Sequence, residues 1–364
     1  MIFEARPRGD VQLAVTTDQN LPDLRAYLSR LTRGDSLSRE EAAGLLNALL
    51  DGQASDAQIA ATLIALKQKG ETVEELAGLA QGMRGRAVRI KSQHKRFIDT
   101  AGTGSSCAKT FNVSTAAAFV IAGAGLPVAK HGNRAASSLC GSADVLAALG
   151  VNVSAPPEVS EKCVNEIGIC FMFAPLYHGA TARVAGIRRQ LGVQTTFNLL
   201  GPLTNPAGAP RQIIGVSARE FVAPMARALA LLGTERAWVV HGDDGLDEIT
   251  LAGKTSVAEA QSGEVREFEI EPEAFGFERA VLEGLGGVDA EGSAAIIREV
   301  LSGARRDRAR TLVAINAAAA LHVGGAAGNL REAAQMAEQS IDSGAAYRTL
   351  EQLIRATNEV KDQG

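Results

Sequence analysis

Asp247 and Glu248 stand side by side after a glycine turn, in the run His241-Gly242-Asp243-Asp244-Gly245-Leu246-Asp247-Glu248. A hard cation such as Mg2+ takes oxygen ligands and is commonly held by one or two carboxylates together with substrate phosphates. Adjacent acids in a loop also serve as plain solvated surface, so the pair alone leaves both readings open. A second group of residues has the opposite character. Gly102-Thr103-Gly104-Ser105-Ser106 leads through Thr110 and Asn112 to Ser114 and Thr115, directly ahead of an apolar run at 116–124. Strand, glycine turn and helix N-terminus in that order bring backbone N–H groups close to an anion. A further short apolar run, 126–129, ends in Lys130-His131-Gly132-Asn133-Arg134, with Ser137 and Ser138 behind it. Ser114 and Thr115 also fit ordinary N-capping, which is compatible with phosphate binding. In an open parallel sheet, both loops would lie at the carboxyl edge, where ligands bind. Together they make a cradle of N–H and hydroxyl donors with two cations, suited to a pyrophosphate.

The elements that must position these groups alternate between strand and helix from Phe97 onward. Short apolar runs at 97–98, 126–129, 171–174, 213–216 and 238–240 read as strands. The stretches 257–260 and 265–270, joined by Ser262-Gly263, read as a hairpin. Helical patterns fill 294–301, 307–321 and 330–341. Ahead of this region, Leu21, Leu24, Leu28 and Leu31 repeat at helical spacing. Ser38 with Glu41, Ser55 with Gln58, and Thr72 with Glu75 are capping-box pairs, and Gly34, Gly52 and Gly70 fall where helices should stop. The expected organisation is a loose extension at 1–20, a small all-helical domain at 21–87, a basic solvated linker containing Arg84 to Arg96, and an α/β domain at 97–364. The central sheet of that domain is expected to be mixed, mainly parallel and flanked by helices.

The 364 residues are 46% hydrophobic, enough for two domains, and only 4% aromatic, which fits close helix packing. The net charge of −4, with no long basic run, gives no reason to expect a nucleic acid or an anionic membrane as partner. The four cysteines, Cys107, Cys140, Cys163 and Cys170, lack the paired spacing of a zinc site. They read as reduced thiols in a cytoplasmic protein. Residues 1–20 are polar and charged, unlike a signal peptide, and no apolar run approaches the ~20 residues that span a bilayer.

Three stretches carry a more specific likeness. Lys130-His131-Gly132-Asn133-Arg134 with Gly141-Ser142-Ala143-Asp144-Val145-Leu146, then 197–206 (Phe-Asn-Leu-Leu-Gly-Pro-Leu-Thr-Asn-Pro), then 241–249, resemble the anthranilate phosphoribosyltransferase family. The likeness runs from about Asp23 to about Asn358. It implies transfer of the phosphoribosyl group of phosphoribosyl pyrophosphate to the amine of anthranilate. It also implies two Mg2+ ions and a homodimer whose contact and one cleft wall come from the helical domain. Part of 178–205 would return beside that domain, and the cleft would close by a hinge. Carried over residue by residue, Gly102, Thr103, Gly104, Ser105, Ser106, Thr110, Asn112, Ser114, Thr115, Lys130 and Ser138 would bind phosphoribosyl pyrophosphate. Gly102, His131, Asn133, Arg188 and Pro202 would bind anthranilate, with Arg188 pairing its carboxylate. Ser114, Asp247 and Glu248 would hold the metal, and no residue is needed as an acid or base. His178 is expected in a structural or supporting role.

The chain departs from the family pattern twice. Ser105-Ser106-Cys107 replaces the usual Gly-Asp-Gly, which removes an acid near the phosphates. Gly179, Thr181 and Ala182 replace the Pro, Met and Lys that usually follow the histidine at 178, close to the acceptor. Other readings are transfer to a different aromatic acceptor, a pyrimidine nucleoside phosphorylase, and a non-catalytic binding paralogue. Asn133 after His131-Gly132, with Asp247-Glu248, speaks against the phosphorylase. The paired acids and negative charge speak against a nucleic-acid binder. A dinucleotide fingerprint would need glycine where Cys107 stands.

Overall fold

Capping chemistry sets the starts of the first helices. α1 (Leu24–Thr32) buries Leu24 and Leu31. α2 (Arg39–Leu50), α3 (Asp56–Lys69) and α4 (Val73–Arg86) each begin on a reciprocal cap. Ser38, Ser55 and Thr72 accept from the N–H of Glu41, Gln58 and Glu75, whose side chains reach back to the cap backbone. The coordinates are a computed structural model, which describes residues 24–104, 110–135, 140–286 and 288–359. The expected extension at 1–20, and Ser105, Ser106, Cys107 and Ser138, lie outside the described residues.

The basic stretch 84–96, which begins inside α4, is not uniformly solvated. Arg84 shares a helix face with the buried Ala80, and its Nε donates to the Leu203 carbonyl at 2.7 Å. Burial pushes its guanidinium down to about 10. A run of like charges reads as surface, but one position per turn still points inward.

The α/β domain begins with β1 (Ile98–Gly102), α5 (Val113–Gly123), β2 (Val128–Gly132), α6 (Ser142–Ala148), α7 (Pro157–Glu166) and β3 (Ile169–Phe173). Next come α8 (Ala174–Tyr177), a 3-10 turn at Gly179–Thr181, α9 (Ala182–Leu191), α10 (Phe197–Leu200) and a 3-10 turn at Gly201–Leu203. The expected crossover at 194–205 thus consists largely of single helical turns. β4 (Arg211–Gly215), α11 (Val222–Leu231), β5 (Arg236–Gly242), β6 (Thr255–Gln261) and β7 (Glu264–Ile270) complete the sheet. α12 (Pro272–Phe275), α13 (Ala290–Leu301), α14 (Arg308–Val323), α15 (Leu330–Asp342) and α16 (Ala345–Asn358) close the chain.

The sheet runs β3-β2-β1-β4-β5-β6-β7. The first five strands are parallel, and β6 and β7 add as an antiparallel hairpin. Ser262 and Gly263 both have positive φ, 52° and 86°, as a two-residue hairpin turn requires. The strand order reverses between β1 and β4, so a crevice opens beyond their carboxyl ends. Gly102 and Gly215, the last residues of those strands, are register partners at its floor.

β1 is longer than the sequence pattern indicates. Asp99 does not close the strand: it lies inside it, fully buried, opposite Gln212 of β4. An apolar-run reading ends at the first charge, whereas this carboxylate is paid for by neighbouring polar groups. Two apolar layers cover the sheet. Ile98, Ile213, Trp238 and Val240 pack with α5, α13, α14 and α16. Ile214, Val216, Val239 and Ala258 pack with α11 and the helical bundle, and Val184, Ile187, Phe197 and Leu200 join that second core. Among the described residues no helix is long and apolar enough to cross a membrane. Cys163 and Cys170 are buried free thiols.

Candidate active site

One cleft of about 620 Å3 collects residues from both strand-end loops, the carboxylate loop, α4, α9 and the crossover. Its two ends are built differently.

At the first end, the turn after β5 carries Asp247 and Glu248. It is clamped on both sides. Thr250 Oγ1 donates to Asp244 Oδ2 at 2.6 Å, and Asn316 of α14 bonds both the N–H and the carbonyl of Ile249 at 2.9 Å. The turn lies directly over the crevice floor. A Cβ on Gly215 would stand 1.6 Å from the Asp247 carbonyl oxygen, and one on Gly102 would stand 3.2 Å from Asp247 Oδ2. Glycine at 215 is therefore what lets the carboxylates approach. Glu248 Oε1 accepts from the backbone N–H of Ser114, in the first turn of α5, at 3.1 Å. Burial, then the neighbouring Asp247, pushes the Glu248 carboxyl up to about 8. A carboxyl raised this way is stabilised in its charged form by a bound cation.

Lys130 lies beneath that turn, almost fully buried. Its Nζ donates to the Thr100 carbonyl and approaches Ser114 Oγ at 3.5 Å. Burial lowers its pKa, while Asp99 and Glu248 hold it up. The ammonium is thus buried at the floor of the cleft, with its donors largely occupied by the protein. Thr103 anchors the glycine loop: its N–H donates to the Gly215 carbonyl at 2.9 Å, and its Oγ1 accepts from the Ser217 N–H at 3.1 Å. Asn112 Oδ1 accepts from Ser293 Oγ of α13 at 2.9 Å.

At the other end, His131 and His178 face each other with ring centroids 5.1 Å apart. Burial and mutual repulsion push His131 down to about 3, and burial pushes His178 down to about 4. Both are neutral near pH 7, and each has an Nε2 that is buried without a partner among the described residues. Arg188 of α9 lies over the Phe197 ring at 5.5 Å and donates to Asn198 Oδ1 at 3.0 Å. Its Nε is buried without a partner among the described residues, and burial lowers its pKa. Pro202 and Asn133 line the same end.

The cleft therefore brings together Gly102, Thr103, Gly104, Thr110, Asn112, Ser114, Lys130, His131, Asn133, Arg188, Pro202, Asp247 and Glu248. Thr115 is not among them. It is buried under the turn, its Oγ1 has no partner among the described residues, and its N–H is used by the Asn112 carbonyl. His178 lines the cleft rather than standing behind it. Asn316 and Ser293 were not legible as site residues, because helix positions far along the chain carry no local signal of what they support. The small side chains of Gly179, Thr181 and Ala182 also line this end.

A helical unit and an α/β unit, with paired carboxylates and a glycine-lined crevice at a switch point, suit a group transferase acting on a phosphorylated donor. Comparison with known proteins agrees. The model of the glycosyl transferase family helical bundle domain matches residues 25–87, and that of the family a/b domain matches residues 94–347. The anthranilate phosphoribosyltransferase of Moorella thermoacetica is 50% identical over 331 residues, 91% of this chain and 97% of that protein. The crystal structure of the Thermus thermophilus anthranilate phosphoribosyltransferase superposes with a TM-score of 0.86 at 41% identity, covering 91% of this chain and 99% of that one. The Saccharomyces cerevisiae enzyme in complex with PRPP and Mg gives a TM-score of 0.84 at 29% identity, covering 92% and 98%. The chain belongs to the anthranilate phosphoribosyltransferase family, within the glycosyl transferase family whose two domain models it matches.

Proposed function

We infer that this chain transfers the phosphoribosyl group of phosphoribosyl pyrophosphate to the amine of anthranilate, giving N-(5-phosphoribosyl)anthranilate and pyrophosphate, the second step of tryptophan biosynthesis. The observation that carries the reading is one cleft with two complementary ends: paired carboxylates over a buried lysine and a helix N-terminus, facing a guanidinium beside a ring-sized slot. In the reaction the anthranilate nitrogen lone pair forms the bond to C1 of the ribose. The bond from C1 to the pyrophosphate oxygen breaks, and the amine proton leaves to solvent. An aromatic amine has a free lone pair, so positioning and electrostatics dominate over proton transfer.

Asp247, Glu248 and Ser114 would hold magnesium. Among the described residues no cluster of three or more acids, histidines or cysteines is arranged for a metal, so the substrate phosphates would complete the coordination. Two Mg2+ ions are part of this proposal. When bound, the metal neutralises pyrophosphate as a leaving group. Lys130 adds positive charge from below, and the Gly102 to Gly104 backbone lies against the donor. Arg188 pairs with the acceptor carboxylate. His131 and His178, being neutral, orient the acceptor through hydrogen bonds without adding charge. The yeast family member is described in complex with 4-fluoroanthranilate, which supports an acceptor of this shape.

We take the helical unit to be completed by part of 178–205, because α9 and α10 share its core. A homodimer built on the helical unit and a cytoplasmic setting belong to the same proposal. Light scattering tests the first, with twice the 37.9 kDa chain mass as the expected value. Loss of anthranilate fluorescence, matched one for one by pyrophosphate release, tests the reaction itself. Release of thymine from thymidine with phosphate, in the absence of that signal, would instead favour a nucleoside phosphorylase.

A further inference from the structure

The crossover residues Gly201 to Asn205 are held largely by buried polar groups. The His131 ring of β2 faces the Gly201 backbone, and His178 faces the Thr204 backbone. Between them, the Pro202 carbonyl accepts from Gln212 Nε2 of β4 at 3.0 Å, and the Leu203 carbonyl accepts from Arg84 Nε of α4 at 2.7 Å. Asn205 Nδ2 donates to the Ala129 carbonyl of β2 at 2.8 Å. Such a segment, lacking a strand partner or a long helix, needs its buried carbonyls satisfied. Here the partners come from β2, β4 and α4, so the segment's position is set by the sheet and the helical bundle together.

Two of these partners stand apart from the cleft, although Arg84 Nη1 also donates to the Leu232 carbonyl at 3.4 Å. Neither Gln212 nor Arg84 lines the cleft. Gln212 is fully buried and its Oε1 has no partner among the described residues, so its side chain makes the one bond to Pro202. A buried amide with unused bonding capacity is destabilising, and an apolar residue would fill the same strand position without that cost. Strand register also separates the two ends of the cleft. Gln212 shares a sheet face with Asp99 and His131, whereas Thr100 and Lys130 point to the opposite face, toward Ser114.

We propose that Gln212 and Arg84 are positioning residues for the acceptor end. They fix the Gly201–Pro202 wall against His131 and Arg188, Gln212 from the sheet and Arg84 from the bundle, and touch neither substrate. This rests on the functional reading above, which wild-type turnover tests by itself.

Steady-state kinetics of Gln212→Met, Gln212→Glu and Arg84→Met separates this role from a general structural one. Gln212→Met should raise the KM for anthranilate about tenfold, the size of one lost buried hydrogen bond, and leave the KM for phosphoribosyl pyrophosphate within about twofold. Arg84→Met should act in the same direction, and carries the test if Gln212→Met does not fold. In Gln212→Glu the donor to Pro202 exists only while the new carboxyl is protonated. Its anthranilate KM should therefore rise with pH relative to wild type while the other KM follows wild type. Equal rises in both KM values, or lower kcat with both KM values unchanged, would overturn the proposal and leave the functional reading intact. No turnover by the folded wild type would overturn both.

Discussion

The two ends of the cleft solve the placement problem in opposite ways. The donor end is assembled from backbone: paired glycines at the ends of β1 and β4, the first turn of α5, and a carboxylate turn clamped by Asn316. Its charges are few and close to one another, Lys130 buried and Asp247 and Glu248 half-buried. The acceptor end is assembled from side chains on β2, α8, α9, α10 and the crossover, and its wall is held by groups from elements remote in sequence. A site made from strand ends is as rigid as the sheet. A site on a crossover is only as rigid as the grips on it. Substitutions at the donor end should therefore remove transition-state stabilisation, whereas those at the acceptor end should mainly loosen one substrate.

The comparison breaks most readily at Lys130. Lys130→Met keeps the buried stem and removes the charge, so kcat/KM should fall about 100-fold, as for loss of a preorganised charge in a dry site. An unchanged kcat would show that the cation is only structural. A smaller effect is expected at the other end. Arg188→Met should raise the anthranilate KM about tenfold, the scale of a lost charge-assisted bond, with the donor KM unmoved. A rise in the donor KM instead would place Arg188 on the wrong substrate.

The smallest effect concerns stability. His131 has an ordinary value of 6.5 and is pushed down to about 3 in the folded protein, and His178 to about 4. In that window the unfolded chain takes up protons that the folded chain refuses. Their contribution to stability is full above pH 6.5 and is lost as pH falls toward the folded values. Asp99, raised to about 6 from an ordinary 3.8, opposes this between those two values. His131→Gln should therefore flatten the fall of melting temperature between pH 6.5 and 4 relative to wild type, and an unchanged slope would contradict the burial argument.

Much of the donor end was legible because its residues are neighbours in sequence. Gly102 to Gly104, Ser114, Lys130 and the Asp247-Glu248 pair sit in short motifs with turn and capping signals, and strand alternation puts them at one sheet edge. The helical unit was legible for the same reason, since each capping box is a four-residue pattern. Asp99, Gln212 and Arg84 were not, because a lone polar residue in a strand, or a lone arginine in a basic run, looks the same whether buried or solvated. Thr115 follows Ser114 by about 100° around the helix and so turns into the core, outside the cleft lining. The acceptor residues Arg188, Asn133 and Pro202 came from resemblance, since nothing local marks a residue whose role depends on a crossover folding back.

The most direct test of the central claim is the Mg2+ dependence of anthranilate consumption with phosphoribosyl pyrophosphate, in wild type and in the Asp247→Asn/Glu248→Gln double variant. The account predicts metal-dependent turnover in wild type and at least about 100-fold less in the folded double variant at every Mg2+ concentration. Turnover by the double variant at the wild-type rate, with the same metal dependence, would contradict it.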